Sequence, residues 1–214
     1  MRYIDIEHWN RREHFKRFYN MDFPHYNICS NVKIGKFYRY LKDNDLSFTV
    51  SMVFLASMAA NGIEEFRSRI RDGRVVVHES VDPSFTVLTD DQTFTFCTLP
   101  YNSSFLEFHE AGRTRIEFFK TNPNVEDEPG RDDFLFMTGL PWISFTGNTH
   151  PIHFRRDDSI PRIAWGKMIE EYGDLKLPFS VQVNHALIDG FHLGKYFEKV
   201  QEILDSPSDF LPLA

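Results

Sequence analysis

The run from Leu177 to Leu204 constrains this fold more than any other stretch, because its hydrophobic period changes once, across a short polar turn. Phe179, Val181 and Val183 alternate with Ser180 and Gln182, the pattern of a half-buried strand. Phe191, Leu193, Phe197, Val200 and Leu204 then recur at helical spacings. Between them lies His185-Ala186-Leu187-Ile188-Asp189-Gly190, so a strand must deliver a histidine into an Asp-Gly turn that opens a helix. An imidazole can exchange a proton near neutral pH, as a general base must. A lone histidine is more often buried and satisfied by backbone, so this placement alone does not make a base.

The 214 residues suit one domain, 1–214, and no stretch has the composition of a linker. Hydrophobic residues make up 42 % and include 22 Phe, ample for a core. The net charge is −7 and no block of five or more Lys/Arg occurs, which disfavours a nucleic-acid surface. The longest apolar stretch, Phe48 to Ala60, is interrupted by Ser51 and Ser57 and is too short to span a bilayer. Met1-Arg2-Tyr3-Ile4-Asp5 lacks an apolar signal region, so Cys29 and Cys97 are expected as free thiols in a reducing cytoplasm.

Along the chain, Asp5 predicts a capped helix to about Asn20, and Tyr26 to Ile34 a strand, followed by a short helix around Phe37 to Leu41. Ser47 to Ile70 reads as the longest helix, with a break possible at Gly62. Short runs at 75–78, 85–88 and 94–97 read as strands, Ser103 to Lys120 as a helix weakened by Gly112, and 122–133 as a solvated, mobile loop. Strands are expected again at 134–138, 142–146, 163–170 and 177–185. This irregular mixture predicts an α/β fold with a mixed sheet covered by helices.

Five blocks in order carry a family resemblance. His185-Ala186-Leu187-Ile188-Asp189-Gly190 resembles the H-x-x-x-D-G signature of coenzyme-A-dependent acyltransferases. Trp9-Asn10-Arg11-Arg12-Glu13-His14-Phe15, Ser80-Val81-Asp82-Pro83-Ser84-Phe85-Thr86-Val87, Leu140-Pro141-Trp142-Ile143-Ser144-Phe145 and Leu177-Pro178-Phe179-Ser180-Val181-Gln182-Val183 resemble blocks of the chloramphenicol acetyltransferase family. The resemblance spans nearly the whole chain. It implies a two-layer α/β sandwich with a largely antiparallel sheet, and a homotrimer with active sites at subunit interfaces. It also implies acetyl-CoA as co-substrate, a hydroxylated acceptor such as chloramphenicol, and a role in antibiotic inactivation. The acidic net charge is no obstacle, since a few local cations and backbone donors can hold the phosphates of coenzyme A.

Acyl transfer to a hydroxyl needs a base, a donor for the tetrahedral oxyanion and two aligned substrates. The resemblance assigns His185 as the base, and Arg11 paired with Asp189 as supports of its loop. It places Thr138 where the family has an oxyanion-stabilising serine. Threonine keeps the O–H donor and adds a methyl group. Phe18, Phe94 and Phe136 fall near acceptor-lining positions, and Trp142 and Lys167 near coenzyme A contacts. Taken alone, Thr138 is a strand threonine, each Phe a core residue, and Asp189-Gly190 a turn and helix start.

Three departures from the family stand out: Asn184 where a first histidine is usual, Arg17 where a smaller or apolar residue is usual, and a polar segment at 147–153. His150 and His153, or His185 with Asp189, lack the further ligands of a zinc site, so no metal is expected. No Gly-rich phosphate loop and no G-x-S-x-G elbow is present. Two rivals stay open: an acyltransferase of this fold that acts on another hydroxyl compound, and a non-catalytic binding or assembly protein. Retention of His185, Arg11 and Asp189 argues against the second.

Overall fold

The computed structural model describes residues 1–126, 128, 130–154 and 157–213. It begins with a short strand β1 (Arg2–Tyr3). The Asp5 carboxylate accepts from Glu7 N at 3.1 Å, but it caps only a 3-10 turn, Ile6–His8. Trp9 then takes an extended backbone (φ −80°, ψ 130°), and α1 (Arg12–Tyr19) starts afresh. The single helix expected from Asp5 to Asn20 is therefore two pieces. The break lets the Trp9 ring turn back to Phe15, 6.0 Å between centroids.

Strand β2 (His25–Lys33) and helix α2 (Gly35–Asp43) lead to α3 (Phe48–Asn61), capped by Ser47 and buried on nearly every side. The expected continuation of α3 to Ile70 does not occur. Gly62 closes the helix with its N–H on Met58 O, and Ile63 turns extended. A 3-10 turn at Glu64–Arg67 and strand β3 (Ser68–Arg71) follow. Phe66 kept the helical spacing in sequence because it is buried too, but it reaches the core from the turn and stacks on Tyr196 at 4.4 Å.

Strands β4 (Arg74–Val77), β5 (Asp82–Leu88) and β6 (Phe94–Thr98) come next, then α4 (Phe105–Thr121). The connection to β7 (Phe134–Gly139) is tied down at both ends. Asn124 O accepts from Phe96 N, and Arg131 bonds Asp82 and Asp133, so the described part of the expected mobile loop is anchored. Residues 127 and 129 of that loop lie outside the described residues.

The strand expected over Trp142 to Thr146 is absent. Leu140 N bonds Trp165 O and Lys167 N bonds Ile143 O, but Pro141 has no N–H to extend a ladder. Another proline splits the strand expected over 163–170 into β8 (Arg162–Trp165) and β9 (Ile169–Glu171). Gly166 N bonds Pro178 O, and Pro178 can return nothing. The chain ends with β10 (Asp174–Asn184), α5 (Gly190–Asp205) and α6 (Pro207–Phe210).

The main sheet runs β2-β10-β8-β7-β5-β6, with β9 on the first part of β10. β7 is parallel to both β5 and β8, and the remaining pairings are antiparallel. Helices α2, α3, α4 and α5 pack against this sheet, giving the expected mixed α/β architecture. Leu135, Met137, Ile163, Trp165, Val181 and Val183 are buried on the covered side. Phe136, Thr138, Arg162, Ser180 and Gln182 alternate to the other face.

A smaller sheet, β1-β4-β3, docks through Arg69, which is fully buried and donates to the carbonyls of Phe66, Ser68, Asp132 and Phe134. Burial lowers that guanidinium to about 10, still protonated at neutral pH. Cys29 and Cys97 are free thiols. Among the described residues, no helix is long and apolar enough to cross a membrane.

Candidate active site

At the end of β10 the chain is turned by Asn184. Its Oδ1 accepts from Ala186 N at 3.0 Å, its backbone oxygen from Leu187 N and Ile188 N, and its Nδ2 donates to Asp158 O at 2.9 Å. His185 N bonds Pro24 O at 2.8 Å, so the pairing of β10 with the start of β2 sets where this histidine stands. The imidazole lies between two rings. Phe18 stacks on it with centroids 3.8 Å apart and planes 7° apart, and Tyr26 lies 4.5 Å away. Such contacts fix the ring plane, at about 0.5–1.5 kcal/mol each. Among the described residues, Nδ1 of His185 is buried and has no hydrogen-bond partner.

Beyond the turn, Asp189 makes two kinds of contact. Its Oδ1 accepts from Phe191 N and His192 N, capping α5, while its Oδ2 accepts from Arg11 Nη1. Burial works to raise the Asp189 carboxyl, but the hydrogen bond and charge of Arg11 outweigh it and hold the group below its usual range. His192 closes the cap by accepting from Asp189 N at its Nδ1, with Nε2 3.3 Å from Glu65. Arg11 and Asp189 meet although they are 178 positions apart in the chain.

The other sequence-predicted residues gather elsewhere. A cavity of about 400 Å³ on the uncovered sheet face is lined by Phe94, Phe96, Phe136 and Thr138, with His150, Ile152 and Arg162. Beside it a groove of about 1020 Å³ runs past Phe48, Leu140, Trp142, Trp165 and Lys167. The two share Thr86, Phe94 and Thr138, so Thr138 stands where they meet. Trp142 is 63 % exposed, a ring face open at the groove. Phe18 is not with Phe94 and Phe136; it packs on His185.

His185 lines neither cavity. Thr138 pairs with Ala164, which pairs with Ser180, and His185 lies five residues further along. At about 3.3 Å per residue and about 4.8 Å per strand, the two backbones are roughly 20 Å apart. A base must come within about 3 Å of the proton it takes, so one chain cannot bring its own His185 and Thr138 to one hydroxyl. Among the described residues no group of three or more metal-ligating side chains gathers.

Sequence reasoning passed over Tyr26 against His185, and Arg162 with Asp158 at the cavity. Arg162 sits in a short strand of otherwise apolar residues, a visible oddity, but nothing in the chain places its partner. Among the described residues, no contact of Arg17 explains its departure from the family pattern.

The family profile described as "Chloramphenicol acetyltransferase" matches residues 1–201. The chain is 32 % identical over 206 residues to chloramphenicol acetyltransferase 3 of Escherichia coli, covering 95 % of this chain and 96 % of that protein. It is 28 % identical over 211 residues to the chloramphenicol acetyltransferase of Staphylococcus aureus, covering 97 % of each. Among solved structures, a chloramphenicol acetyltransferase superposes with a TM-score of 0.83 at 28 % identity, covering 94 % of this chain and 98 % of that one. By class the protein is an acyltransferase. The chain belongs to the chloramphenicol acetyltransferase family.

Proposed function

We propose that the protein transfers acetyl from acetyl-CoA to a hydroxyl of chloramphenicol, inactivating the antibiotic, with each active site built from two copies of the chain. The observation that carries this reading is the position of Thr138, where an aromatic-walled cavity of drug size meets a long groove. The cavity takes the acceptor against Phe94 and Phe136. The groove takes acetyl-CoA, with Trp142 offering a ring face and Lys167 a cation for the phosphates. The missing base is His185 of a neighbouring copy, and Phe18 arrives with it as a further wall. The separation of His185 from Thr138 within one chain supports a homotrimer with three interfacial sites. Work in the cytoplasm fits a consumer of acetyl-CoA.

In the reaction, His185 Nε2 takes the acceptor's hydroxyl proton as the oxygen attacks the thioester carbonyl carbon. The Thr138 O–H donates to the tetrahedral oxyanion. Collapse breaks the carbon–sulfur bond, and the imidazolium returns its proton to the departing thiolate. Acetylated acceptor and free coenzyme A leave. Arg11 and Asp189 hold the His185 turn against α5. The test is coenzyme A thiol release with chloramphenicol present and absent. We expect acceptor-dependent release and a product one acetyl group heavier by mass. Release no faster than without acceptor, while another alcohol is turned over, rejects chloramphenicol.

A further inference from the structure

The cavity beside Thr138 is apolar at Phe94, Phe96, Phe136 and Ile152, yet Arg162 lies among them. Arg162 is 6 % exposed, pairs directly across from Phe136, and holds its guanidinium carbon 5.7 Å from that ring's centroid. Asp158 meets it end-on: Nη1 donates to Oδ1 at 2.9 Å and Nη2 to Oδ2 at 2.8 Å. The second Nη1 hydrogen goes to Ile160 O. A guanidinium has five N–H groups, so the Nε–H and one Nη2–H are left, side by side along the opposite edge. Neither has a partner among the described residues.

Among the described residues, the charges around this edge balance. Asp158 compensates Arg162. Burial, with the charge of Arg162, lowers His150 to about 4, so it is neutral at pH 7. Burial also lowers His25, whose Nε2 lies 3.9 Å from Asp158. A bound carboxylate would put two anions on one cation out of water, a costly arrangement. A neutral group with two acceptor oxygens satisfies both donors without that penalty. Thr138 and Arg162 are one strand and two residues apart, about 8 Å between backbones. A phenyl ring on a short alcohol spans this length.

We propose that Arg162 is a specificity-determining residue, whose Nε–Nη2 edge selects neutral hydroxylated acceptors with a planar two-oxygen group, such as an aromatic nitro group, over those with an apolar or anionic group there. The proposal rests on the acceptor cavity assigned above.

The probes are chloramphenicol, its analogue with hydrogen in place of nitro, and its analogue with carboxylate there. Equilibrium binding by tryptophan fluorescence without acetyl-CoA is measured alongside kcat/KM. The wild type is expected to prefer chloramphenicol over both analogues by roughly tenfold, in binding and in KM, the worth of a charge-assisted hydrogen bond. Joint replacement Arg162→Leu with Asp158→Leu removes the pair without stranding a charge, and should abolish the preference over the hydrogen analogue while leaving the KM for acetyl-CoA unchanged. Arg162→Lys keeps the charge beside Asp158 and removes the fork, and should lose the same preference if the double variant fails to fold. An unchanged preference in the folded variants, tightest binding of the carboxylate analogue, or no binding of any probe overturns the proposal. Binding with the expected preference but without acetyl transfer supports it and rejects the proposed reaction instead.

Discussion

The imidazole of His185 is held by two rings and one backbone bond, so its position does not depend on its own ring nitrogens. His185→Ala is therefore expected to keep its fold by circular dichroism and to lose on the order of 10² to 10⁴ in kcat. Turnover near wild type in the folded variant would remove His185 from the mechanism. Asp189 separates into two roles by substitution. Asparagine keeps an oxygen for the Phe191 and His192 N–H groups but removes the charge facing Arg11, and we expect a loss of about 1–3 kcal/mol in urea denaturation. Alanine also removes the cap and should cost about 1 kcal/mol more. The carboxyl is depressed in the folded state, so its stabilisation is present above its unfolded value near ~3.9 and is lost as pH falls through the lower folded one. The gap between wild type and Asp189→Asn should accordingly close in acid. Equal stability of all three proteins at neutral pH would contradict both roles.

At the scale of elements, α4 carries Gly112 in its interior, where helix propensity alone favours alanine by about 1 kcal/mol. A Cβ there would stand 2.7 Å from Val50 Cγ1 on α3 and 3.3 Å from Leu99 Cδ2. Close packing wins over propensity at this distance. Gly112→Ala is expected to destabilise by about 1–3 kcal/mol, and Val50→Ala added to it should recover part of the loss. A thermal melt showing Gly112→Ala more stable than wild type would mean that the α3–α4 contact yields. A similar conflict of local and tertiary preference decides where α3 ends. Phe48 to Asn61 is α-helical as its period predicts, but the α-helix does not continue to Ile70, because Arg69 and Ile70 are needed in the small sheet.

For the whole molecule, the proposed mechanism together with the spacing of about 20 Å between His185 and Thr138 makes activity a property of the assembly, and this can be tested. Subunits with His185→Ala and subunits with Thr138→Val should each be nearly inactive alone. Unfolded together and refolded as a mixture, they should regain activity, because in random trimers about a quarter of the sites combine an intact histidine with an intact threonine. No recovery in mixed trimers, or full activity of an isolated monomer, would show that one chain builds the whole site.

The sequence by itself determined the local units. Period and turn chemistry set the strand, histidine, turn and helix of 177–204, and the five motif blocks carried the family. Both depend on residues close together in the chain, where spacing records which face each side chain takes. Proline also acted locally, but its effect at Pro141 and Pro178 could be read only once the strands opposite were known. What the tertiary structure alone decided is which distant groups meet. Arg11 reaches Asp189, Phe18 and Tyr26 flank His185, and Phe18 parts from Phe94 and Phe136. Arg162 finds Asp158 beneath an aromatic cavity. These meetings follow from strand order and register in the sheet, which arise from packing over the whole chain and leave no periodic mark in any one segment.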